Sequence, residues 1–435
     1  KDDDGTWQVS NNAPTAKVAF FKFKVPGKFK NHTTYKVYYP GKNGSNDQVT
    51  ISAAQTQATP NTTDHFGESG DCGTANASKQ SNGSFAFALD HQAAILVFQP
   101  YTSNTILQNC YLTKVEVSSD NDITHTYTLD PTTGELTGTG SGKQIILTTK
   151  GSGAYVNGFP LTNTSASVAT NGAYMVIKPG THVLRVRYWI KDVVTNVEGT
   201  ITKILSSYNY VKNTYYDMTA NLNVKDYDGD HYYQWDAQKQ YWDGYEWTKN
   251  LANGQPTLNG TSSLNYAQNN SDPRWYHENP SPSTPSALAA SRSCAVCPTV
   301  NELCWYVMKG EPHYDSNKPW SFKNHLYKGG TWLKKKATIL QDNPSISTWR
   351  FTNRYPDANG VDRDWRTETS IKLNENPLVN PYISPSPTLS VTPKTTPLPN
   401  PNEYFFLPSL GSYLWDKNYY MGARGYFWGQ DASPN

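Results

Sequence analysis

Apolar and polar positions alternate with a period of two along much of the first half of the chain. His182–Lys191 (HVLRVRYWIK) shows it best, with Val183, Arg185 and Arg187 set against Leu184, Val186 and Tyr188. Successive strand side chains point to opposite faces, so this spacing predicts a half-buried β-strand. The same reading predicts strands at residues 17–25 (KVAFFKFKV), 34–39, 49–53, 112–117, 124–129, 144–149, 173–177, 200–205 and 215–224. FAFAL at 85–89 and AAILVFQ at 93–99 are apolar nearly throughout and read as buried strands. Pro40-Gly41, Asp130-Pro131 and Pro179-Gly180 supply turns, while 56–84, rich in Thr, Asn, Gly and Ser, reads as a long loop. Many short strands with turn chemistry between them and almost no helix predict antiparallel sandwiches up to about residue 225.

Beyond that point the pattern changes. Residues 227–247 (YDGDHYYQWDAQKQYWDGYEW) are dense in rings and acids, and 250–293 are dominated by Asn, Ser, Pro and Gly. A single strong helix follows. Thr299 and Glu302 have the spacing of a capping box, in which hydroxyl and carboxylate each take a backbone N–H of the first turn. Val300, Leu303, Cys304 and Val307 then recur at helical spacing up to Gly310, a candidate C-terminal cap. After it the chain reads as irregular, with Trp320, Trp332, Trp349 and Trp365 in loops and a proline-rich stretch at 377–401. Aromatic strands return at 404–428. The expected division is 1–150 and 151–225 as two sandwiches, 226–293 as a connecting segment, and 294–435 as an α+β module.

Composition narrows the function. A chain of 435 residues is long enough for two or three domains. Only 17% of residues are charged, whereas 13% are aromatic, with 30 Tyr, 13 Trp and 14 Phe. That usage suits strands and ring-bearing surfaces. A net charge of +2 without a lysine block gives no footprint for nucleic acid. No run of 18 apolar residues occurs. Lys1–Asp4 carries no signal-peptide core, so a leader is expected to have been removed or the chain trimmed. Five cysteines, Cys72, Cys110, Cys294, Cys297 and Cys304, exclude complete internal pairing. Cys294 and Cys297 form a C-x-x-C that fits a local disulfide, packed thiols, or a zinc site still lacking a fourth ligand.

Two resemblances rest on these segments. FAFALDHQAAILVF (85–98), LTKVEVSSDNDITHTYTLD (112–130), NGAYMVIKPGTHVLRVRYWIKD (171–192) and NTYYDMTANL (213–222) together resemble the fimbrillin family, the subunits of type V pili. CPTVNELCWYVMKG (297–310), HLYKGGTWLKKK (325–336), YFFLPSLGSY (404–413) and GARGYFWG (422–429) are similar to a FISUMP-type module, related to C-type-lectin-like folds. Members of that module continue past "YFW" through two further strands, whereas this sequence ends at Asn435. The first resemblance implies a mainly β chain with two antiparallel Greek-key, transthyretin-like sandwiches, followed here by an irregular α+β C-terminal domain. It also implies a lipid anchor on the precursor, outer-membrane association and clipping of an N-terminal strand. Other pilus subunits would then join by strand complementation, an added strand satisfying the unpaired N–H and C=O groups of a sheet edge.

Candidate chemistry divides two ways at each place. Asp226-Tyr227-Asp228-Gly229-Asp230 has calcium-loop residues but misplaces its glycine and offers Ala237 at the twelfth position, so it reads as a solvated turn or a calcium loop. The rings at Tyr232, Tyr233, Trp235, Tyr241, Trp242, Tyr245 and Trp247 would stack sugar faces or fill a seam. Glu311-Pro312-His313 and Trp415-Asp416 resemble lectin calcium motifs without their asparagine. Lys334–Lys336 reads as a solvated strand end, and Asp357, Asp362 and Asp364 are acids close enough in sequence to consider for glycoside cleavage. No nucleophile elbow, zinc-protease or phosphate-loop motif is present.

The expectation is therefore a non-enzymatic protein of the cell surface, outer membrane or fimbrium, needing no cofactor or metal. It would act as a tip or accessory adhesin, its C-terminal module contacting a glycan or host protein. Trp235, Trp242, Trp247, Trp415, Tyr419, Tyr426 and Trp428 are the expected ligand-binding residues. The rival expectation is a surface glycan-binding lipoprotein of a polysaccharide-uptake system, and an enzyme acting on glycans is a third.

Overall fold

The structure is a computed structural model. It describes residues 1–16, 18–130, 132–227, 232–244, 267–278, 288–322, 324–357, 359–366, 391–395, 398–414 and 417–431. The chain is mainly β, with several sheets and its longer helices near the C-terminus. It divides into two compact units, 1–193 with 200–223, and 194–199 with 224–435.

The first unit is built around two sheets. In the larger, the order is Glu198–Ile204, Leu184–Asp192, Cys110–Ser119, Gln144–Thr149 and Ala54–Gln57. The alternation read from sequence fixes its inner face: Leu184, Val186, Tyr188 and Ile190 are buried, as are Val115, Val117, Ile145 and Leu147 on its neighbours. The second sheet sets Ala94–Tyr101 between Ala173–Ile177 and Thr214–Asn221. All five residues of AYMVI are buried, as a strand covered on both faces must be. Phe98 meets Tyr188 edge-on at 6.1 Å, joining the two sheets through one core.

Several expectations fail in this unit. The boundary at residue 150 does not divide it, because Gln144–Thr149 and Leu184–Asp192 flank the same Cys110–Ser119 strand. Residues read as two sandwiches thus share one set of sheets. Nor is pairing antiparallel throughout: Ala54–Gln57 runs parallel to Gln144–Thr149, and Thr214–Asn221 parallel to Ala94–Tyr101. Residues 18–25 form no strand, and Phe20 is 94% exposed. That segment is held by Asn12, whose side chain takes the Lys24 N–H and donates to Lys22 O, so no sheet gathers its apolar face. The long loop at 56–84 contains a further strand, Gly73–Lys79, paired with Thr34–Tyr39.

One sheet edge is closed by side chains. Alternate backbone groups of Ala173–Ile177 face away from Ala94–Tyr101, and Gln55 and Gln57 reach them. Gln55 Oε1 takes the Val176 N–H at 2.9 Å and its Nε2 donates to Val176 O at 2.7 Å. Gln57 Oε1 takes the Tyr174 N–H at 2.7 Å, and His65 Nε2 lies 2.9 Å from Tyr174 O. The amides thereby replace a neighbouring strand.

The second unit holds a sheet ordered Lys225–Tyr227, His313–Phe322, His325–Lys334 and Tyr404–Pro408. The capping box at Thr299 and Glu302 is formed, and Val300–Lys309 is the helix it starts. Cys304 and Trp305 on that helix pack with Ile339, Phe351, Tyr355 and Trp365. Gly310 is the C-cap, as expected, in a right-handed conformation with a φ of −76° and its N–H donating to Tyr306 O. The region after it is more regular than expected. Trp320 and Trp332 lie on paired strands, and Lys336–Asp342 and Thr348–Asn353 are helices. Buried indoles satisfy their N–H on carbonyls, as in Trp305 to Arg354 O, Trp320 to Gly329 O and Trp365 to Tyr355 O.

Candidate functional site

Rings that are not in this core gather near the end of the second unit. A glycine turn shapes the segment: Gly422 has a φ of +78°, its N–H donates to Ser409 O at 2.7 Å, and a Cβ there would meet Lys328 O at 3.0 Å. Tyr420, Tyr426, Phe427 and Trp428 are 46%, 55%, 48% and 53% exposed. The Arg424 guanidinium lies 4.3 Å from the Tyr420 ring centre, a cation–π distance.

This aromatic surface is tied to residues 232–236. Trp428 Nε1 donates to Tyr233 O at 2.7 Å, and Trp235 Nε1 donates to Gly429 O at 3.1 Å. The two indoles thus bond each other's strands of chain reciprocally. Trp235 stacks on His277 at 6.0 Å, and His277 Nδ1 lies 2.7 Å from Asp236 Oδ2. Asp236 is fully buried at a φ of +50° and takes the N–H groups of Ser291, Arg292 and Cys294. Burial alone would raise its pKa. The three amide donors and His277 outweigh that and hold the carboxyl below its usual range.

The expected ligand residues therefore separate. Tyr426 and Trp428 stand on the surface, Tyr419 and Trp235 are half-buried beside it or beneath it, and Trp247 and Trp415 lie outside the described residues. Trp242 is a correction: it is 1% exposed and packs edge-on against Tyr241 at 4.9 Å, so it serves as core and offers no ring to a ligand. Sequence reading missed Tyr420, Phe427, Arg424 and the Asp236–His277 pair. Phe427 sat inside the quoted GARGYFWG, where three consecutive rings cannot all face inward on a strand. Nothing in the sequence marked Asp236 as buried.

The remaining candidates have structural partners. Asp357, Asp362 and Asp364 pair with Arg363, Arg350 and Arg366 at 3.1, 2.7 and 2.8 Å. Glu311 pairs with Lys334 at 3.0 Å and Lys394 at 3.5 Å, and Lys334 is largely buried between Glu311 and Asp342 rather than solvated. Of the Asp226–Asp230 run, 228–230 lie outside the described residues, and Asp226 takes the Ser321 hydroxyl at 2.7 Å. All five cysteines are free thiols, and desolvation pushes those of Cys72 and Cys304 up to about 12. Among the described residues no cluster of His, Cys, Asp and Glu has metal-site geometry, and no helix is long and apolar enough to cross a membrane.

No family model matches the chain, and no curated protein sequence matches it. Among solved structures it is similar to a Bacteroides uniformis protein described as a "putative cell adhesion protein", at 15% identity and a TM-score of 0.24, covering 43% of this chain and 67% of that one.

Proposed function

We propose that this protein is an exported, non-catalytic cell-surface adhesin of fimbrial type, in which the second unit makes the outward contact through its aromatic surface. The carrying observation is the exposure of Tyr420, Tyr426, Phe427 and Trp428 within one short segment whose backbone is laced down by the Trp235 and Trp428 indoles. Clustered exposed rings mark interaction surfaces, and their faces suit the apolar C–H faces of sugar rings, with Arg424 beside them to meet hydroxyls.

In the finer reading the first unit is the pilus-type part, and its neighbours add a strand to it. Thr214–Asn221 is the terminal strand of its sheet, which supports addition there. The second unit on the C-terminal side of the first supports a tip or accessory position. Polymers containing the protein at repeating stoichiometry would overturn that position. The binding reading is tested with Tyr426→Ala/Phe427→Ala on a glycan array and on host cells. At least tenfold weaker binding at an unchanged thermal midpoint is expected; unchanged binding removes the aromatic surface from the function.

A further inference from the structure

A groove of about 670 Å³ opens on the first unit. Its floor is one face of the sheet formed by Thr34–Tyr39, Gly73–Lys79 and Asp90–His91. The antiparallel register sets Lys36 opposite Asn76, Tyr38 opposite Thr74, and Thr74 opposite Asp90. Directly opposed residues share a face, so an amine, an amide, a phenol, a hydroxyl and a carboxylate line up over two rungs. One wall is the 132–134 turn, which Lys212 holds by donating from Nζ to Thr133 O at 2.6 Å.

A buried acceptor lies behind that wall. Gln92 lines the groove and is 4% exposed; its Nε2 donates to Asp90 O at 2.9 Å, while its Oε1 has no donor among the described residues. A Cβ on Gly134 would lie 2.5 Å from that oxygen and 3.2 Å from Thr74 Oγ1, so glycine alone lets the turn close over both. A ligand hydroxyl donating to that acceptor would satisfy a buried polar group that the described residues leave without a donor.

We propose that this groove is a saccharide-binding site, separate from the aromatic surface of the other unit. Dense, alternating donors and acceptors match a ligand made of hydroxyls. A peptide strand would instead seek a sheet edge, and this is a sheet face whose floor side chains, Lys36, Tyr38, Thr74, Asn76 and Asp90, all carry polar groups rather than an apolar anchor. A phosphate ligand would meet Asp90 on the floor, which opposes it.

The test is made in full-length Tyr426→Ala/Phe427→Ala protein, so that the aromatic surface is silent. The probes are neutral oligosaccharides and oligosaccharides ending in uronic or sialic acids, on an array and then by calorimetry. At least one should bind, and its affinity should fall tenfold or more with Asn76→Ala and again with Asp90→Ala, both exposed positions, at an unchanged thermal midpoint. A loss confined to acidic probes with Lys36→Ala would assign the lysine to a ligand carboxylate within the same site. Failure of every probe to bind, or binding indifferent to both floor substitutions, overturns the proposal. Failure of the aromatic reading shows separately, as equal binding by the wild type and the double variant.

Discussion

Replacing Gln55 or Gln57 by methionine should open the side-chain-sealed edge of the first unit, and the two costs should differ. Methionine keeps the unbranched shape and volume while removing the amide. Without Gln55, both the N–H and the C=O of Val176 lose their partner, and Val176 is 0% exposed. Without Gln57, Tyr174 N–H is orphaned, but Gly172 O keeps the Asn61 N–H at 2.9 Å. Each buried orphan costs about 1–3 kcal/mol. With some relief from entering water, Gln55→Met is expected to destabilise the unit by ~2–4 kcal/mol and Gln57→Met by ~1–3 kcal/mol. The cost falls within one of the two units, so a residue-resolved readout locates it better than a global midpoint does. Amide hydrogen exchange resolves the edge directly. Gln55→Met should accelerate exchange at Val176, and Gln57→Met at Tyr174, each leaving the other amide protected longer. Unchanged exchange at both amides, or a larger cost for Gln57, would refute the reasoning.

His65 closes the same edge, and burial lowers its pKa below the ordinary 6.5. The unfolded chain therefore binds a proton that the folded one resists, so stability should fall as pH drops below 6.5 toward the folded value; His65→Gln should flatten that slope in denaturant titrations at pH 7 and 5. Asp364 is raised by burial but carried down to about 2 by Arg366 and Asn301, from an ordinary 3.8. Its contribution is complete above the ordinary value and lost as pH falls through about 2. After solvent screening this is worth ~1–2 kcal/mol, so Asp364→Asn should cost that at pH 7 and far less at pH 2, read from urea midpoints. Asp236→Ala strips the acceptor from three N–H groups and should cost ~2–4 kcal/mol, with new proteolytic cleavage within 288–297. Intact resistance there would show that Asp236 does not organise the loop. Trp428→Phe keeps a ring but loses the bond to Tyr233 O, and should cost ~1 kcal/mol by tryptophan-fluorescence melts.

Much of this architecture was legible because its signals are local. Leu184–Asp192 announced itself by alternation, since each inward residue needed only its own strand and one buried face. The capping box at Thr299 is likewise complete within four residues. What failed depends on distant partners. Alternation reveals that a strand exists, not that Ala54–Gln57 lies parallel to a strand ninety positions on, or that residues either side of 150 interleave. KVAFFKFKV has a strand's pattern but finds no sheet. The rings divided for the same reason. Trp242 and Trp428 sit in similar aromatic company in the sequence, yet one is buried and the other exposed, and only tertiary packing distinguishes them. The groove was invisible because Asn76, Asp90 and Gln92 are ordinary polar residues until register places them together.

The glutamine-sealed edge also gives the proposed assembly a direction. An added strand needs a row of outward N–H and C=O groups with no partner. On the Ala173–Ile177 side, Tyr174 and Val176 have those groups occupied by Gln55, Gln57 and His65, so an incoming strand would first have to displace three buried side chains. The opposite side ends at Thr214–Asn221, whose sequence alternates exposed Tyr215, Asp217 and Thr219 with half-buried neighbours. Addition there would extend an existing parallel pair without disturbing the core. If strand addition occurs, substitutions to proline at exposed positions along 214–221 should abolish it, while Gln55→Met should leave that addition intact and create a second, unnatural contact. Assembly that survives proline at Asp217, or that requires the Gln55 edge to open, would place the junction elsewhere.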